Sequence, residues 1–169
     1  MRGAVALFLT TYLLRGLVAE VNSALSGMHI WLFAGGLFVA YAALMMPLRE
    51  GFAASVLGGL LCDSVTPVVF GTHTALFAAA HAVVYNARER LQREETVVRV
   101  FVALLLNLAL FLALTFARIR VAHVAAAAWP RILSDLVWSQ AALALIAPWF
   151  FALQLRTLEL ARAHPSRAA

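Results

Sequence analysis

Three ionisable side chains stand inside apolar stretches of the sequence and are the first candidates for chemistry. They are Arg15, Asp63 and Asp135. A charge in the middle of a membrane costs at least about 2.5–3.5 kcal/mol, so such groups usually pair or reach towards the interface. We therefore expect Arg15 to pair with Asp63 or with Asp135. The functional alternative is a proton or ion relay, for which only Asn107 and His81 lie deeper in the apolar stretches.

The remaining polar residues show none of the patterns that indicate catalysis. The five histidines and the one cysteine form no His-x-x-x-His or Cys-x-x-Cys pair of the kind that binds metals. Ser64 directly follows Asp63, and adjacent side chains point apart, so the two cannot act together as nucleophile and acid. The sequence also lacks a glycine-rich nucleotide-binding loop. These residues predict neither an enzyme nor a cofactor site.

Composition places these residues in a membrane. Of the 169 residues, 64% are hydrophobic and 12% are charged, whereas soluble domains are roughly 45–50% apolar and about 25% charged. A soluble fold of this size would leave large apolar patches exposed. The net charge of +5 is typical of a membrane protein with basic cytoplasmic loops, and it does not indicate nucleic-acid binding. The composition therefore predicts a polytopic protein whose surroundings are the lipid bilayer.

Charged residues divide the apolar sequence into six stretches. Helices are the economical structure for them, because open strand edges in lipid leave main-chain groups unpaired. We therefore predict an all-α bundle of six transmembrane helices that forms a single integral membrane domain over 1–169. A five-span chain that lacks the third or the fourth helix is the alternative. The predicted spans are 3–20, 29–47, 49–66, 72–88, 97–117 and 132–154.

The arginines of the loops predict the orientation, because cytoplasmic loops carry an excess of positive charge. With both termini in the cytoplasm, nine arginines lie on the inner side and three on the outer side. An even number of spans with a cytoplasmic N-terminus is therefore favoured. The inner arginines are Arg2, Arg49, Arg88, Arg90, Arg93, Arg99, Arg156, Arg162 and Arg167, and the outer ones are Arg118, Arg120 and Arg131.

The third predicted span carries a face of small residues. Gly51, Ser55, Gly59 and Asp63 recur at every fourth position, and Gly58 lies beside them. Small residues at this spacing let two helix backbones approach closely in lipid. The favoured interpretation is packing against a neighbouring helix of the same chain. The alternative is a binding face for a helix of another protein.

The helical pattern breaks between the third and the fourth predicted spans, at 63–71. Pro67 lacks a main-chain N–H group and restricts the residue before it, and Gly71 allows a tight reversal. We interpret this segment as the outer turn of a helical hairpin. A shallow re-entrant segment is the alternative.

A charged linker at 88–95 follows the fourth predicted span and has the pattern of a helix that extends past the membrane. Its i, i+4 pairs are Glu89–Arg93 and Arg90–Glu94, and pairs of this kind stabilise a helix by a few tenths of a kcal/mol. The linker is interpreted either as a solvated helical cap or as a docking surface for a cytoplasmic partner.

Several short motifs follow one another in an order that matches a known family. They are Gly51-Phe52, Gly58-Gly59-Leu60-Leu61-Cys62-Asp63, Pro67, Phe70-Gly71, Ala75-Leu76 and Pro148-Trp149-Phe150-Phe151, with Arg156 after the last. In this register they resemble the rod shape-determining protein MreD family, whose last helix contains a Pro-Trp pair. The resemblance in order and length extends over essentially the whole chain.

The resemblance implies a non-catalytic scaffold of the bacterial inner membrane, with MreC as its direct partner. Through MreC the chain would join the cell-elongation machinery of MreB, RodZ, RodA and its transpeptidase, and would control cell shape and lateral peptidoglycan synthesis. It also implies a six-helix bundle similar to the substrate-binding components of energy-coupling-factor vitamin transporters. The alternative function is therefore solute binding, which needs a concave pocket with convergent polar groups. For such a pocket the sequence offers Arg15, Asp63, Asp135 and His73.

Overall fold

A computed structural model describes residues 2–28, 30–66, 69–91, 95–122 and 129–163, with side chains for 12–14, 16–27, 30–66, 69–91, 95–119 and 129–156. Within these ranges the regular structure is entirely helical, as the composition predicts. The helices are α1 (Arg2–Leu25), α2 (Gly35–Met45), α3 (Leu48–Asp63), α4 (Thr72–Ala87), α5 (Thr96–Ala122) and α6 (Trp129–Ala163). Short 3₁₀ turns follow α1 at Ser26–Met28 and α4 at Arg88–Arg90.

Helix α2 lies in the centre of the bundle, and the other five helices surround it. It packs against α3, α4, α5 and α6, while the contacts α1–α3, α3–α4, α4–α5, α5–α6 and α6–α1 close the ring. Residues 36–44 of α2 are all buried. Because these residues are apolar on every side of the helix, α2 has no face suited to water. The largest fully buried apolar and aromatic side chains are Leu37, Tyr41 and Leu44 of α2 with Phe77, Leu143 and Phe151 of its neighbours.

The helices differ in how far each could reach into a bilayer. Within the described residues, two segments are long and apolar enough to cross one, Thr96–Ile119 of α5 and Trp129–Arg156 of α6. Helix α2 is apolar but has only 11 residues, which is about 16 Å at 1.5 Å per residue. Helices α3 and α4 have 16 residues each, about 24 Å. The hydrocarbon core of a bilayer is about 30 Å thick.

The second apolar stretch becomes helical later than the sequence predicts. The predicted span begins at 29, whereas α2 begins at Gly35 and residues 30–34 are not helical. An apolar run does not by itself distinguish a helix from another buried conformation. The conformation of 30–34 is decided instead by polar side chains from other helices.

The small residues of α3 lie against neighbouring helices of the same chain. A Cβ atom at Gly59 would lie 2.5 Å from the Cα atom of Thr74 on α4. One at Gly58 would lie 2.5 Å from the ring of Phe38 on α2. Real Cβ atoms do not approach other atoms so closely, so larger residues would push these helices apart. The small face is thus used for packing inside the bundle.

Candidate functional site

The carboxylate of Asp63, the last residue of α3, accepts five hydrogen bonds from the start of α4. The main-chain N–H groups of Gly71, His73 and Thr74 donate at 3.0, 2.9 and 3.1 Å. Thr74 Oγ1 and His73 Nδ1 also donate, at 2.7 and 2.9 Å. We call Asp63, Gly71, His73 and Thr74 the capping cluster. Asp63 and His73 are both buried.

The capping cluster forms because α4 has no capping side chain of its own. The first turn of a helix leaves main-chain N–H groups without partners, and the residue that precedes α4 is Gly71. Its φ of +94° is a left-handed conformation that glycine adopts without strain. The turn brings the free N–H groups to Asp63 at the end of α3, and its carboxylate also interacts favourably with the positive, N-terminal end of the α4 dipole. Asp63 therefore joins the two halves of the hairpin.

Residues 30–34, the non-helical segment before α2, are held by polar side chains from three other helices. Asn22 of α1 accepts the N–H of Leu32 at 2.7 Å and donates to its carbonyl oxygen at 3.0 Å. Asp135 Oδ1 of α6 accepts the N–H of Trp31 at 2.9 Å. We call the four side chains that hold this segment the bracing cluster: Asn22, Asn107, Asp135 and Ser139.

Ser139 and Asn107 hold the end of the segment and the start of α2. Ser139 Oγ accepts the N–H of Phe33 at 3.0 Å and donates to the carbonyl oxygen of Trp31 at 3.3 Å. Asn107 Nδ2 donates to the carbonyl oxygen of Phe33 at 3.0 Å, and its Oδ1 accepts the N–H of Gly36 at 3.1 Å. Asn107 therefore bridges the segment and the first turn of α2.

The same bonds give the direction of the segment. Trp31 and Phe33 are two residues apart, and they bond to Asp135 and Ser139, which are four residues apart on α6. Four residues correspond to about one helical turn, roughly 6 Å along the axis. The segment therefore runs parallel to α6, with the same chain direction, along about one turn of that helix before α2 begins.

A non-helical main chain needs such partners wherever apolar side chains surround it. A buried N–H or C=O group without a partner costs about 1–3 kcal/mol, and within a membrane no water replaces the missing bond. Asn107 is fully buried and Ser139 is 1% exposed. Gly36 lets α2 approach α5, because a Cβ atom there would overlap the main chain of Asn107. Asn22, Asn107 and Ser139 are therefore buried within the bundle, whereas Asp135 is half-buried.

The structure places the two acidic residues grouped with Arg15 in different clusters. Asp63 belongs to the capping cluster and Asp135 to the bracing cluster. The side chain of Arg15 lies outside the described residues, so the predicted pairing stays a prediction. Pro67 also lies outside them. His73, a sequence candidate for a solute pocket, bonds to Asp63.

His81 and Asn107, the two candidates for a relay, have separate partners. Nδ1 of His81 lies 3.0 Å from Oγ of Ser55, and both residues are buried. Nε2 of His81 is buried and has no hydrogen-bond partner among the described residues. The ring stacks on Tyr85, and a Cβ atom at Gly51 would lie 2.8 Å from its Cε1. Asn107 bonds instead to Phe33 and Gly36, as part of the bracing cluster.

The Pro-Trp motif lies in the second half of α6. Pro148 is within the helix, and Trp149 is 80% exposed on its surface. The next two residues, Phe150 and Phe151, pack against Tyr41 with ring centroids 5.9 and 5.8 Å apart. The motif therefore presents one aromatic ring outside the bundle and two rings to its core.

At the opposite end of the hairpin, Arg88 binds the end of α2. Its Nη1 donates to the carbonyl oxygen of Met46 at 3.1 Å, and its guanidinium lies 3.7 Å from the centre of the Tyr85 ring. The predicted helical extension is here a 3₁₀ turn at Arg88–Arg90. The predicted ion pairs of the linker extend into 92–94, which lie outside the described residues.

Sequence reasoning missed Asn22 and Ser139 and assigned Asn107 a different role. The available signal was their isolation in apolar stretches, because a buried amide or hydroxyl is nearly always hydrogen-bonded. A second signal was the pair Gly35-Gly36, since glycine weakens a helix. Neither signal predicts which main-chain group each of these side chains binds.

A cavity of about 20 Å³ lies beside the bracing cluster, between α1, the non-helical segment and α6. Its lining is almost entirely apolar and includes Leu14, Phe33, Ser139 and Leu143. The space is enough for about one water molecule, whereas pockets for small molecules measure roughly 300–1,000 Å³. Among the described side chains, no three of the His, Cys, Asp and Glu residues are grouped so as to hold a metal ion.

Comparison of the chain with models of protein families, with characterised proteins and with solved structures finds no match.

Proposed function

We propose that this chain is a multi-pass membrane protein of six helices that acts as a non-catalytic scaffold. The observation that carries the proposal is the use of the interior polar groups. Asp63, Asn107 and Ser139 all bond to the main chain of the bundle itself, and the cavity beside Ser139 measures about 20 Å³. These side chains maintain the architecture. The proposal therefore assigns contact with other molecules to the outer surface of the bundle.

The apolar surface of α5 and α6 supports the membrane location. Val97 on α5 and Leu145 and Trp149 on α6 are 76%, 75% and 80% exposed. Removing a large apolar side chain from water is worth about 1.5–3 kcal/mol, so a surface of this kind favours lipid. Trp129 and Trp149 are twenty residues apart on α6, which is about 30 Å and matches the hydrocarbon core. Tryptophan is enriched at both membrane interfaces.

The six-span topology is supported by the loop charges and by the central helix. With both termini in the cytoplasm, nine loop arginines are inside and three outside. The 11 residues of α2 cover only about half of the hydrocarbon core, so 30–34 would supply part of the crossing. Irregular main chain is tolerated at that depth where protein encloses it and satisfies its hydrogen bonds. The bracing cluster meets this condition.

The proposed partner comes from the resemblance to the MreD family. We propose MreC as the direct partner in the bacterial inner membrane, and through it MreB, RodZ, RodA and its transpeptidase. In that complex the chain would help to control cell shape and lateral peptidoglycan synthesis. Of the residues that carry the resemblance, Gly58 and Gly59 pack inside the bundle, whereas Trp149 is exposed.

Co-purification tests this partner. The full chain, with a C-terminal affinity tag, is expressed in its own bacterium and extracted in a mild detergent, and we expect MreC to elute with it in a fixed ratio. A tagged multi-pass membrane protein of similar size is the control. Elution of the folded chain without MreC would contradict the proposed partner. Normal rod-shaped growth after depletion of the chain would contradict the role in cell shape.

Equilibrium dialysis separates the scaffold from the solute-binding alternative. The purified chain is dialysed against thiamin, riboflavin and biotin in turn, and we expect no saturable binding because the cavity holds about 20 Å³. A free vitamin-binding protein under the same conditions is the positive control. Saturable binding of any of the three vitamins would favour the hypothesis of a solute-binding transporter component over that of a scaffold.

A further inference from the structure

The hairpin of α3 and α4 is shorter than the hydrocarbon core of a bilayer. Arg49, exposed near the start of α3, and Asp63 are 14 residues apart, about 21 Å along a helix. Thr72 and Arg88, at the two ends of α4, are 16 residues apart, about 24 Å. The core measures about 30 Å. With both arginines at the inner surface, the two helices independently place the capping cluster below the outer boundary of the core.

The described polar side chains of the turn are hydrogen-bonded to the hairpin itself. The hydroxyl groups of Ser64, Thr66 and Thr72 donate to main-chain carbonyl oxygens of the hairpin at 2.9, 2.6 and 2.6 Å. The carboxylate of Asp63 satisfies three main-chain N–H groups at 71–74. The sequence carries no Asp, Glu, Lys or Arg from 64 to 87. These groups therefore have partners that do not depend on water.

The apolar side chains of the turn point away from the bundle. Val65, Val69 and Phe70 are 64%, 63% and 70% exposed. The exposed apolar surface continues along both helices, at Leu57 of α3 and at Val83 of α4, which are 47% and 68% exposed. Turns that face water normally carry polar side chains. This turn has the surface of a segment in contact with lipid.

We propose that the α3–α4 hairpin enters from the inner side and ends inside the outer leaflet, with Val65, Val69 and Phe70 among the acyl chains. These two of the six helices then stop short of the outer surface, and the sides assigned to the loops stay the same. This inference rests on the proposed membrane location. The occupant of the apolar tip is the bilayer, because the tip is uncharged, continuous with the apolar surface of α3 and α4, and situated at the depth that the helix lengths predict. The capping cluster permits this placement, since it satisfies main-chain groups that hydrocarbon could not.

Site-directed fluorescence quenching in vesicles tests the depth of the tip. Cys62, the one cysteine of the chain, is first replaced by alanine. A bimane label is then attached to the full chain through Val69→Cys or Phe70→Cys. The lipid control is a label at Leu145→Cys, which is 75% exposed on α6. The water control is a label at Arg90→Cys, which is exposed in the 3₁₀ turn after α4. The vesicles contain phosphatidylethanolamine and phosphatidylglycerol, with phosphatidylcholine that carries a nitroxide near its headgroup.

The label at Val69 and at Phe70 is expected to be quenched by the nitroxide lipid as strongly as the label at Leu145. Quenching of the tip labels by iodide ions on both sides of the membrane should be several-fold weaker than quenching of the label at Arg90. Because both tip side chains are largely exposed, we expect both variants to retain the fold. The two labels are neighbours, so they should report the same depth. Circular dichroism of each labelled chain confirms its helix content.

The alternative outcomes are distinct. Iodide quenching at both tip positions as strong as at Arg90, with Leu145 still quenched by lipid, would place the tip in water and overturn the inference alone. Protection of both tip positions from lipid and from iodide would mean that protein covers the tip, which also overturns it. Loss of lipid quenching at Leu145 as well would overturn the membrane location and the inference together.

Discussion

The capping cluster and the bracing cluster both supply hydrogen-bond partners to main-chain groups at the start of a helix. They differ in how far apart along the chain the bonded residues lie. In the capping cluster the bonded residues are 8 to 11 positions apart, and one hairpin contains them all. In the bracing cluster the bonds to Asn107, Asp135 and Ser139 join residues 71 to 108 positions apart. The main-chain hydrogen bonds at the start of α4 thus form within one hairpin. Those at the start of α2 form only when α5 and α6 are in place.

The two clusters also distribute their hydrogen bonds differently. Asp63 accepts five bonds on one carboxylate, whereas no bracing side chain makes more than two in the described structure. Loss of one residue therefore removes most of the capping cluster and only a part of the bracing cluster. A single residue therefore makes all the bonds of the local cluster, whereas four residues share those of the long-range cluster.

The largest effect is expected from Asp63→Ala. The substitution leaves the N–H groups of Gly71, His73 and Thr74 without their acceptor, and we expect the free energy of unfolding to fall by about 3–5 kcal/mol. Asp63→Asn keeps one acceptor oxygen and should lose about half as much. Unfolding by sodium dodecyl sulfate, followed by circular dichroism in a mild detergent, measures both values.

Ser64→Ala is the matched control for the capping cluster. Its hydroxyl bonds to a carbonyl oxygen of its own helix end, and its loss should change stability by less than about 1 kcal/mol. Equal losses for Asp63→Ala and Ser64→Ala would show that one residue does not dominate this cluster.

A smaller loss is expected from Asn107→Ala. It removes the partners of Phe33 and Gly36 in the core and should lower the free energy of unfolding by about 2–3 kcal/mol. Hydrogen exchange gives the site of the effect: the amides of 31–36 should exchange faster, and those of 71–74 should not change. Asn86→Ala, an exposed asparagine on α4, is the control. Faster exchange at 71–74 in Asn107→Ala would mean that the capping cluster depends on the rest of the bundle.

Ser139→Ala should have a smaller effect again. The N–H of Phe33 loses its acceptor, but Asn107 still holds the carbonyl oxygen of that residue, so we expect about 1 kcal/mol. Ser134→Ala, on the exposed surface of the same helix, provides the same chemical change without the bond. The unfolding titration compares the two variants. A loss for Ser139→Ala equal to that for Asp63→Ala would contradict shared bracing.

The smallest effect is the coupling between the clusters. They share no hydrogen-bond partner among the described residues, so the losses for Asp63→Asn and Asn107→Ala should add to within about 0.5 kcal/mol in the double variant. The same unfolding titration on the wild type, the two single variants and the double variant measures the coupling. A coupling above about 1 kcal/mol would show that the hairpin and the start of α2 fold as one unit.

The sequence identified some of these residues without their geometry. It singled out Asp63 and Gly71, and it predicted a turn between two helices at that point. What it could not predict was that the carboxylate of Asp63 bonds to the start of the next helix, because Arg15 was an equally good partner by charge. It also assigned helix to 30–34, since apolar composition is the same for a helix and for a braced non-helical segment.

Sequence by itself determined the helical class, the apolar character of the chain and the turn between α3 and α4. These properties depend on composition and on spacing within one helix or one turn, where the interacting residues are neighbours in the chain. Only the tertiary structure decided that α2 lies in the centre, that it begins at Gly35, and that Asn22, Asn107, Asp135 and Ser139 hold the segment before it. Those outcomes depend on which helices become neighbours in space, and up to 108 positions along the chain separate the residues that meet there.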